Sequence, residues 1–245
     1  MRARNKWSKY LFLKRSKKLA PYLPKTQRMT KSAFWDFINH YGKVILKPVR
    51  GKGGAGVIQV SSLGNRTFNI HSDNKRKTIK GKRQTYRYLK NKIKSTAYMI
   101  QRRISLATIR KRPFDMRIIV QRRRYSDSWK VTAKAAKVAG KGYFVTNNTR
   151  SKGRMMHVKR ALQKSSLKNH SHQLLLSNVK RVALLSAKRL RVAFPSHRTY
   201  GMDMGLDKKG HVWIIETNHY PAISHFRKLG DKAMVHRILS YQKRR

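Results

Sequence analysis

The chain has 245 residues, with 61 lysines and arginines against 8 aspartates and glutamates, and a formal net charge of +53. Hydrophobic residues make up 39% of it, which indicates a folded core, and the absence of cysteine excludes disulfides and thiolate chemistry. No stretch approaches the length of a membrane span, and the basic N-terminus lacks the apolar run of a signal peptide, so a cytosolic protein is expected.

Hydrophobic periodicity predicts both helices and strands in the first hundred residues. Residues 6–19 are expected to form a short basic amphipathic helix, which Pro21 ends. A second helix begins after Thr30 or Ser32 as its cap and ends at Gly42. The other elements predicted here are strands at 44–46, 57–60 and 97–104, one or two edge strands within 66–80, and a helix at 81–93.

The second part of the chain is predicted to be richer in strands. A helix covers the 170s to 190s until Pro195 stops it, and Asp231 can cap a last helix. Strands and helices mix without strict alternation, which favours an α+β fold over a doubly wound sheet. The strands are predicted at 114–121, 129–139 and 142–147, with a polar loop at 147–153 and a hairpin at 202–217.

The hairpin contains Glu216, the only glutamate of the chain. Glu216 and Asn218 are two residues apart and share one face of their strand, and Asp203 can lie opposite them. Three hard oxygen ligands suit Mg²⁺ when phosphate and water complete its shell, so this pattern predicts a metal site. The alternative is a solvated hairpin whose acids pair with nearby lysines.

Residues 43–60, KVILKPVRGKGGAGVIQV, place a glycine-rich loop between two strands. Unblocked backbone N–H groups in such a loop, with lysines beside them, can bind a triphosphate. The pattern is neither a P-loop nor a dinucleotide fingerprint, and the alternative is a flexible turn.

Together these stretches resemble the ATP-grasp family, in particular its YheC/YheD type, described as endospore coat-associated. The resemblance runs in family order through LPKT at 23–26, LKPVRGKGGAGV at 46–57, YMIQRRISL at 98–106, RPFDMRIIVQ at 112–121, WKVTAKAAKV at 129–138, VTNNTRSKG at 145–153 and GMDMGLDKKGHVWIIETNHYP at 201–221. It implies an α+β ATP-grasp fold in which two subdomains sandwich the nucleotide, without the N-terminal domain that many relatives carry.

The resemblance also implies a domain division and a set of site residues. A basic segment would cover 1–20 and the ATP-grasp domain 21–240, divided into a glycine-loop subdomain at about 43–103 and a metal-binding subdomain at about 104–240. The implied nucleotide contacts are Lys47, the loop residues Gly51, Lys52, Gly53, Gly54 and Gly56, the adenine-hinge residues Gln101, Arg102 and Ile104, and Asn147. The implied catalytic cations are Arg117 and Lys137, and the implied Mg²⁺ ligands are Asp203, Glu216 and Asn218.

The implied function is an ATP-dependent carboxylate–amine ligase that acts through an acyl phosphate, with unknown carboxylate and amine substrates and association with spores. Departures from the family are Arg102, where many relatives place an acid, and Ser151-Lys152-Gly153, where relatives carry a Gly-Gly pair. For Arg117 the alternative is an ion pair with Asp115 or another acid.

The extreme charge leaves a second function open. A basic protein could bind an anionic polymer or nucleic acid and keep a vestigial ATP site, and the cluster Arg122-Arg123-Arg124 beside Tyr125 supports this alternative. No DNA-reading motif is present in the sequence. For His170 and His172, a solvent position at a helix start is favoured over a metal site.

Overall fold

The structure is a computed structural model and describes residues 5–51, 53–146 and 151–242. The described residues form two β-sheets of six strands each, with helices packed against them. The strand pairs in both sheets are antiparallel, as the α+β class predicts. Within the described ranges, no helix combines the length and the apolar character needed to cross a membrane.

The N-terminal half of the chain builds the first sheet. Its helices are α1 (Lys6–Lys14), α2 (Lys31–Tyr41) and α3 (Lys82–Ile93). Its strands are β1 (Thr26–Arg28), β2 (Lys43–Pro48), β3 (Ile58–Ser62), β4 (Thr67–Ser72), β5 (Lys75–Lys80) and β6 (Tyr98–Arg102). They lie in the order β1-β6-β2-β3-β4-β5.

Alternation along these strands separates an apolar face from a polar one. Val44 and Leu46 of β2 and Ile100 of β6 are buried in one hydrophobic cluster with residues of α2 and α3. Lys47 and Gln101 directly follow Leu46 and Ile100 in these strands and therefore project from the opposite face.

Local capping fixes α2 where the sequence predicts it. The Thr30 side chain accepts a hydrogen bond from the Ala33 N–H at 3.1 Å, and Gly42 ends the helix with φ +64°. A left-handed residue at this position is cheapest for glycine.

The second half of the chain builds the second sheet. Its strands are β7 (Thr108–Ile109), β8 (Arg112–Gln121), β9 (Lys130–Val138), β10 (Arg154–Met156), β11 (Thr199–Leu206) and β12 (Val212–Asn218). They lie in the order β10-β9-β8-β11-β12, and β7 pairs with β8. The helices are α4 (Val158–Gln163), α5 (His172–Ala193), α6 (Ser224–Arg227) and α7 (Lys232–Ser240).

Helix α5 covers the apolar face of this sheet with one stripe of residues that includes Val179, Ala183 and Leu190. The same cluster contains Tyr10 and Leu13 of α1. Helix α1 is therefore part of the body that holds the second sheet, although it is the first element of the chain. The predicted division at residue 20 and the predicted subdomain limits stay predictions.

Two predicted elements differ from the structure. The strand predicted at 142–147 is wrong over residues 142–146, because 141–142 form a turn and 144–145 a bend; residue 147 lies outside the described residues. Gly142 has φ +81°, and the Tyr143 N–H donates to the Gly140 carbonyl, which is incompatible with an extended strand. Phe144 instead packs against His71 of the first sheet, with ring centroids 4.7 Å apart. The first helix ends at Lys14, short of the predicted residue 19.

Candidate functional site: a cleft between the two sheets

The polar face of the first sheet and the edge of the second enclose a small cavity. Lys47, Met99 and Gln101 line it from β2 and β6, and Ile214 and Glu216 line it from β12. Its volume is about 40 Å³. Apolar and charged groups thus meet in one narrow space, as a ligand with an apolar ring and an anionic tail requires.

Strand register gathers charged residues on one face of the second sheet. Arg117 of β8 lies opposite Asp203 of β11, and Asp203 lies opposite Glu216 of β12. Asp115 of β8 lies opposite Lys137 of β9. Because paired residues and residues two apart share a face, these five side chains project from the same side of the sheet.

Asp203 is the centre of a buried ion-pair network. Its carboxylate accepts hydrogen bonds from Arg117 Nε at 2.7 Å, from Arg117 Nη2 at 3.0 Å and from Lys137 Nζ at 2.8 Å. Burial alone would raise the pKa of Asp203, but Arg117 and Lys137 outweigh it and hold that pKa well below its usual range. The alternative of an internal ion pair for Arg117 is thereby observed, with Asp203 as the acid.

Asp115 extends this network on the other side of Lys137. Its carboxylate lies 3.1 Å from Lys137 Nζ and accepts a hydrogen bond from the Thr146 hydroxyl. Burial raises the pKa of Asp115, while the charge of Lys137 opposes the rise. Lys137 is buried between two carboxylates, and their attraction raises its pKa despite its burial.

Lys47 is the cation that the first sheet contributes. Its Nζ donates to Gln101 Oε1 at 2.6 Å, and the Gln101 amide in turn donates to Thr26 Oγ1 at 2.9 Å, which fixes its orientation. Among the described residues Lys47 has no ion-pair partner within 4 Å. Burial lowers its pKa to about 8, although the charge of Glu216 across the cleft favours the protonated form. Lys47 is half-buried, and its ammonium group lies against the buried Gln101 in the lining of the cavity.

Glu216 and Asn218 lie on the outer strand of the second sheet. Glu216 Oε1 is 3.6 Å from Lys6 Nζ, and Asn218 is half-buried opposite Gly201. In the three described ranges, no group of three or more histidine, cysteine, aspartate or glutamate side chains is arranged to hold a metal. Two carboxylates with one amide oxygen nevertheless form a donor set that Mg²⁺ accepts when phosphate oxygens complete its shell.

The glycine loop takes a conformation that requires glycine. Gly51, Gly53, Gly54 and Gly56 have φ values of +127°, +67°, +77° and +71°. The Gly56 carbonyl accepts a hydrogen bond from the Tyr98 hydroxyl at 2.9 Å, which holds the end of the loop against β6. Lys52 lies outside the described residues. The loop's role in phosphate binding stays a prediction.

The predicted adenine hinge is already hydrogen-bonded to its neighbours. The Arg102 N–H donates to the Lys25 carbonyl at 2.9 Å, and the Ile104 carbonyl accepts from the Arg103 guanidinium. The Arg102 side chain stacks over the rings of Tyr41 and Trp213. Adenine recognition by these groups stays a prediction, and Asn147 lies outside the described residues.

The sequence interpretation missed several residues of the cleft. Asp115 shares a strand face with Arg117, so strand alternation alone could have identified it. Lys6 and Lys9 of α1 line the cavity, and no local pattern in the sequence indicates this. His225 of α6 lies near the network, and burial, followed by the charges of Arg117 and Lys137, lowers its pKa.

Comparison with known proteins gives the family. The family described as "YheC/D like ATP-grasp" matches residues 1–243. The endospore coat-associated proteins YheD and YheC of Bacillus subtilis (strain 168) are 26% identical over 253 residues and 24% identical over 226 residues. These matches cover 98% and 89% of this chain but only 52% and 60% of YheD and YheC, so the chain spans little more than half of their lengths.

Two solved structures share the fold. An ADP complex of N5-carboxyaminoimidazole ribonucleotide synthetase superposes with a TM-score of 0.55 and 14% identity, covering 91% of this chain and 46% of that one. D-alanyl-alanine synthetase A from Vibrio cholerae superposes with a TM-score of 0.51 and 11% identity, covering 98% of this chain and 64% of that one. These similarities confirm the predicted α+β ATP-grasp fold, and the family match decides the membership. The chain belongs to the YheC/D-like ATP-grasp family.

Proposed function

We propose that the chain binds ATP with Mg²⁺ in the cleft between its sheets and joins a carboxylate to an amine through an acyl phosphate. The observation that carries this proposal is Lys47, a partly buried ammonium group that has no ion-pair partner among the described residues and faces the carboxylates of the second sheet. A partly buried cation in that position is stabilised by an anionic ligand. The family membership supports the proposal, as does a structural neighbour solved with ADP.

Each cation of the cleft has a distinct role in this proposal. Lys47 and the N–H groups of the glycine loop hold the phosphates, since in the described part of the chain neither has a carboxylate partner. Arg117 and Lys137 stabilise the charge that builds on the transferred phosphoryl group, and Asp203 fixes both cations in place beforehand. A Mg²⁺ ion held by Asp203, Glu216 and Asn218 would neutralise charge on the phosphate oxygens.

The proposed reaction needs no nucleophile from the protein. A substrate carboxylate oxygen bonds to the γ-phosphorus of ATP as the bond to the ADP oxygen breaks, which gives an acyl phosphate and ADP. An amine nitrogen then bonds to the acyl carbon, the carbon–oxygen bond to phosphate breaks, and the amine loses a proton. The products are an amide, ADP and inorganic phosphate.

The proposal is tested by thermal unfolding with and without Mg-ATP. Mg-ATP should raise the melting temperature of wild type but not of Glu216→Gln, which keeps the shape and removes the charge. Asp127→Asn is the matched control, because it makes the same charge change at a side chain that is 77% exposed and paired with Arg191. Mg-tripolyphosphate separates nucleotide binding from general anion binding.

Turnover is measured separately as ATP-dependent release of phosphate with pooled carboxylates and amines. Phosphate release that is present in wild type and Asp127→Asn and absent in Glu216→Gln supports the ligase. Equal melting shifts in wild type and Glu216→Gln would reject the metal assignment, and no shift in wild type would reject the nucleotide site.

Association with the spore is part of the same proposal and rests on the relatives' names alone. It predicts that the protein is recovered in the purified spore fraction of its source organism. Recovery only from the vegetative cytoplasm would reject it.

One surface favours the second candidate function, polyanion binding. A groove of about 700 Å³ is lined by arginines that include Arg124 and Arg198, and Tyr125 beside it is 88% exposed. Arginines next to an exposed ring suit phosphates and bases of a single-stranded nucleic acid. Binding of oligonucleotides that falls steeply with salt, weakens in Arg198→Ala and ignores Mg-ATP would favour this function.

A further inference from the structure

Helix α1 lines the cleft and contacts the glycine loop of the first sheet and β12 of the second. The Lys6 N–H donates to the Val49 carbonyl at 3.2 Å, and Lys6 Nζ donates to the Gly51 carbonyl at 2.5 Å. The same ammonium group lies 3.6 Å from Glu216 Oε1. One turn later, Lys9 Nζ donates to the Thr217 carbonyl at 2.8 Å. The first turn of α1 therefore ties the glycine loop to β12.

The two ends of α1 are held by different forces. The C-terminal end is anchored by burial, since Tyr10 and Leu13 lie in the core cluster and the Tyr10 hydroxyl accepts from the Thr26 N–H. At the N-terminal end Asn5 and Ser8 cap each other, Lys6 and Lys9 make polar contacts, and Trp7 is only partly buried at the edge of the core cluster, where it stacks on Tyr10. Polar contacts exchange with water at small net cost, and Trp7 is less buried than Tyr10 and Leu13, so this end opens at a lower cost than the anchored end.

The closed helix leaves too little room for a nucleotide. The cavity beneath it measures about 40 Å³, whereas pockets for small molecules occupy about 300–1,000 Å³. Lys6, Lys9 and Tyr10 form part of its lining together with Lys47 and Glu216. The space that a nucleotide needs therefore becomes available only if this lining moves.

We propose that the first turn of α1, Asn5 to Lys9, is a strap that closes the cleft, and that Lys6 competes with incoming ligands for the Glu216 carboxylate. The proposal rests on the proposed nucleotide site and adds its regulation. Lys6 holds two groups assigned to ligand binding, the Gly51 end of the loop and Glu216, so the site binds only when this contact breaks. The apparent affinity is then the intrinsic affinity reduced by the open fraction.

The Mg-ATP affinity of a Lys6 variant tests the strap, because the strap predicts a change opposite to that expected from charge attraction. Removal of a lysine beside an anion site weakens anion binding if the lysine only attracts the ligand. The strap predicts the opposite: Lys6→Met should tighten Mg-ATP binding about 3–10-fold, because a larger fraction of the protein is open. Lys17→Met is the matched control, since it removes an exposed charge just beyond α1 and should leave the affinity unchanged. Weaker or equal binding by Lys6→Met would overturn the proposal.

Cysteine labelling tests the strap without nucleotide. The chain has no cysteine, so Ser8→Cys introduces a single thiol at a position that is 8% exposed; because the change removes the Ser8 hydroxyl cap in every sample, labelling rates are compared only within the Ser8→Cys background. Its modification by a thiol reagent should be about 3–10-fold faster in the Lys6→Met background than with Lys6 present, and faster again with Mg-ATP. Ser95→Cys, at an exposed position, should react at one rate in all conditions.

The two readouts separate the strap from the proposed function. Faster labelling of Ser8→Cys in Lys6→Met, with no nucleotide binding in any variant, would support the strap and reject the nucleotide site. If nucleotide binds but the labelling rate of Ser8→Cys changes neither with Lys6→Met nor with Mg-ATP, the strap is overturned and the nucleotide site is kept.

Discussion

Replacement of Asp203 by asparagine is the most informative change in the network. Asp203 is 8% exposed and accepts three hydrogen bonds from Arg117 and Lys137. Asparagine keeps the shape and removes the charge, so Arg117 loses its only carboxylate among the described ion pairs, and Lys137 keeps Asp115 at 3.1 Å. Removal of one partner of a buried pair costs about 3–5 kcal/mol. Because Asp115 still compensates Lys137, we expect about 3 kcal/mol.

This loss is large enough to measure in two ways. For a chain of this length it corresponds to a fall of about 6–12 °C in the melting temperature. Urea unfolding should show a lower midpoint with an unchanged slope. Asp127→Asn, which makes the same charge change in an exposed pair, should lose at most about 1 kcal/mol.

The contribution of Asp203 to stability should depend on pH. The folded pKa of Asp203 lies below its ordinary value of 3.8, so its contribution to stability is present above that value and is lost as the pH falls through the folded pKa. The stability difference between wild type and Asp203→Asn should therefore shrink in strong acid. A loss below about 1 kcal/mol at neutral pH, equal to that of Asp127→Asn, would refute a buried network at Asp203.

Three further changes test other parts of the cleft. In urea unfolding, Gly56→Ala should lower the free energy of unfolding by about 1–2 kcal/mol more than Gly64→Ala does. Both glycines have positive φ, but only at Gly56 would an added Cβ meet Tyr98 Oη, at 2.7 Å. Equal losses in the two variants would contradict this close contact. The stability of wild type relative to Lys47→Met should rise with pH between about pH 8 and 10.5, because in this range Lys47 is protonated in the unfolded chain and deprotonated in the folded one. A stability difference that does not change with pH would mean that burial does not lower the pKa of Lys47. Calorimetry should detect no Mg²⁺ binding without a nucleotide, and tight Mg²⁺ binding to the bare protein would contradict the surplus of positive charge in the cleft.

Local chemistry made much of the fold predictable. The cap at Thr30 and the stop at Gly42 fixed α2, and the turn before Gly210, with φ +79°, joined two strands whose alternation was visible in the sequence. The positive φ values of the glycine loop follow from the same local rules, since only glycine adopts them cheaply. These elements depend on neighbours a few residues away, which the sequence displays directly.

Long-range contacts account for what the sequence did not reveal. Lys9 donates to the carbonyl of Thr217, which lies 208 residues later in the chain, and no periodicity encodes such a pairing. Residues 142–147 have the composition of a strand, but Phe144 is held by a contact with His71 of the other sheet and the chain turns there. In a chain with 61 basic residues, a functional lysine also looks like every other lysine until its burial is known.

The placement of charge in the cleft indicates which kind of ligand the site accepts. In a protein of net charge +53, a carboxylate finds a cation at almost any surface position, so pairing alone carries little information. The ion pairs of Asp115 and Asp203 differ from surface pairs because both carboxylates are buried. Desolvation makes an unpaired charge costly at a buried position. Lys47 remains beside this network as a partly buried cation without a carboxylate of its own among the described residues. An anion stabilises that arrangement and a free metal cation does not, so Mg²⁺ is expected to bind together with the phosphates.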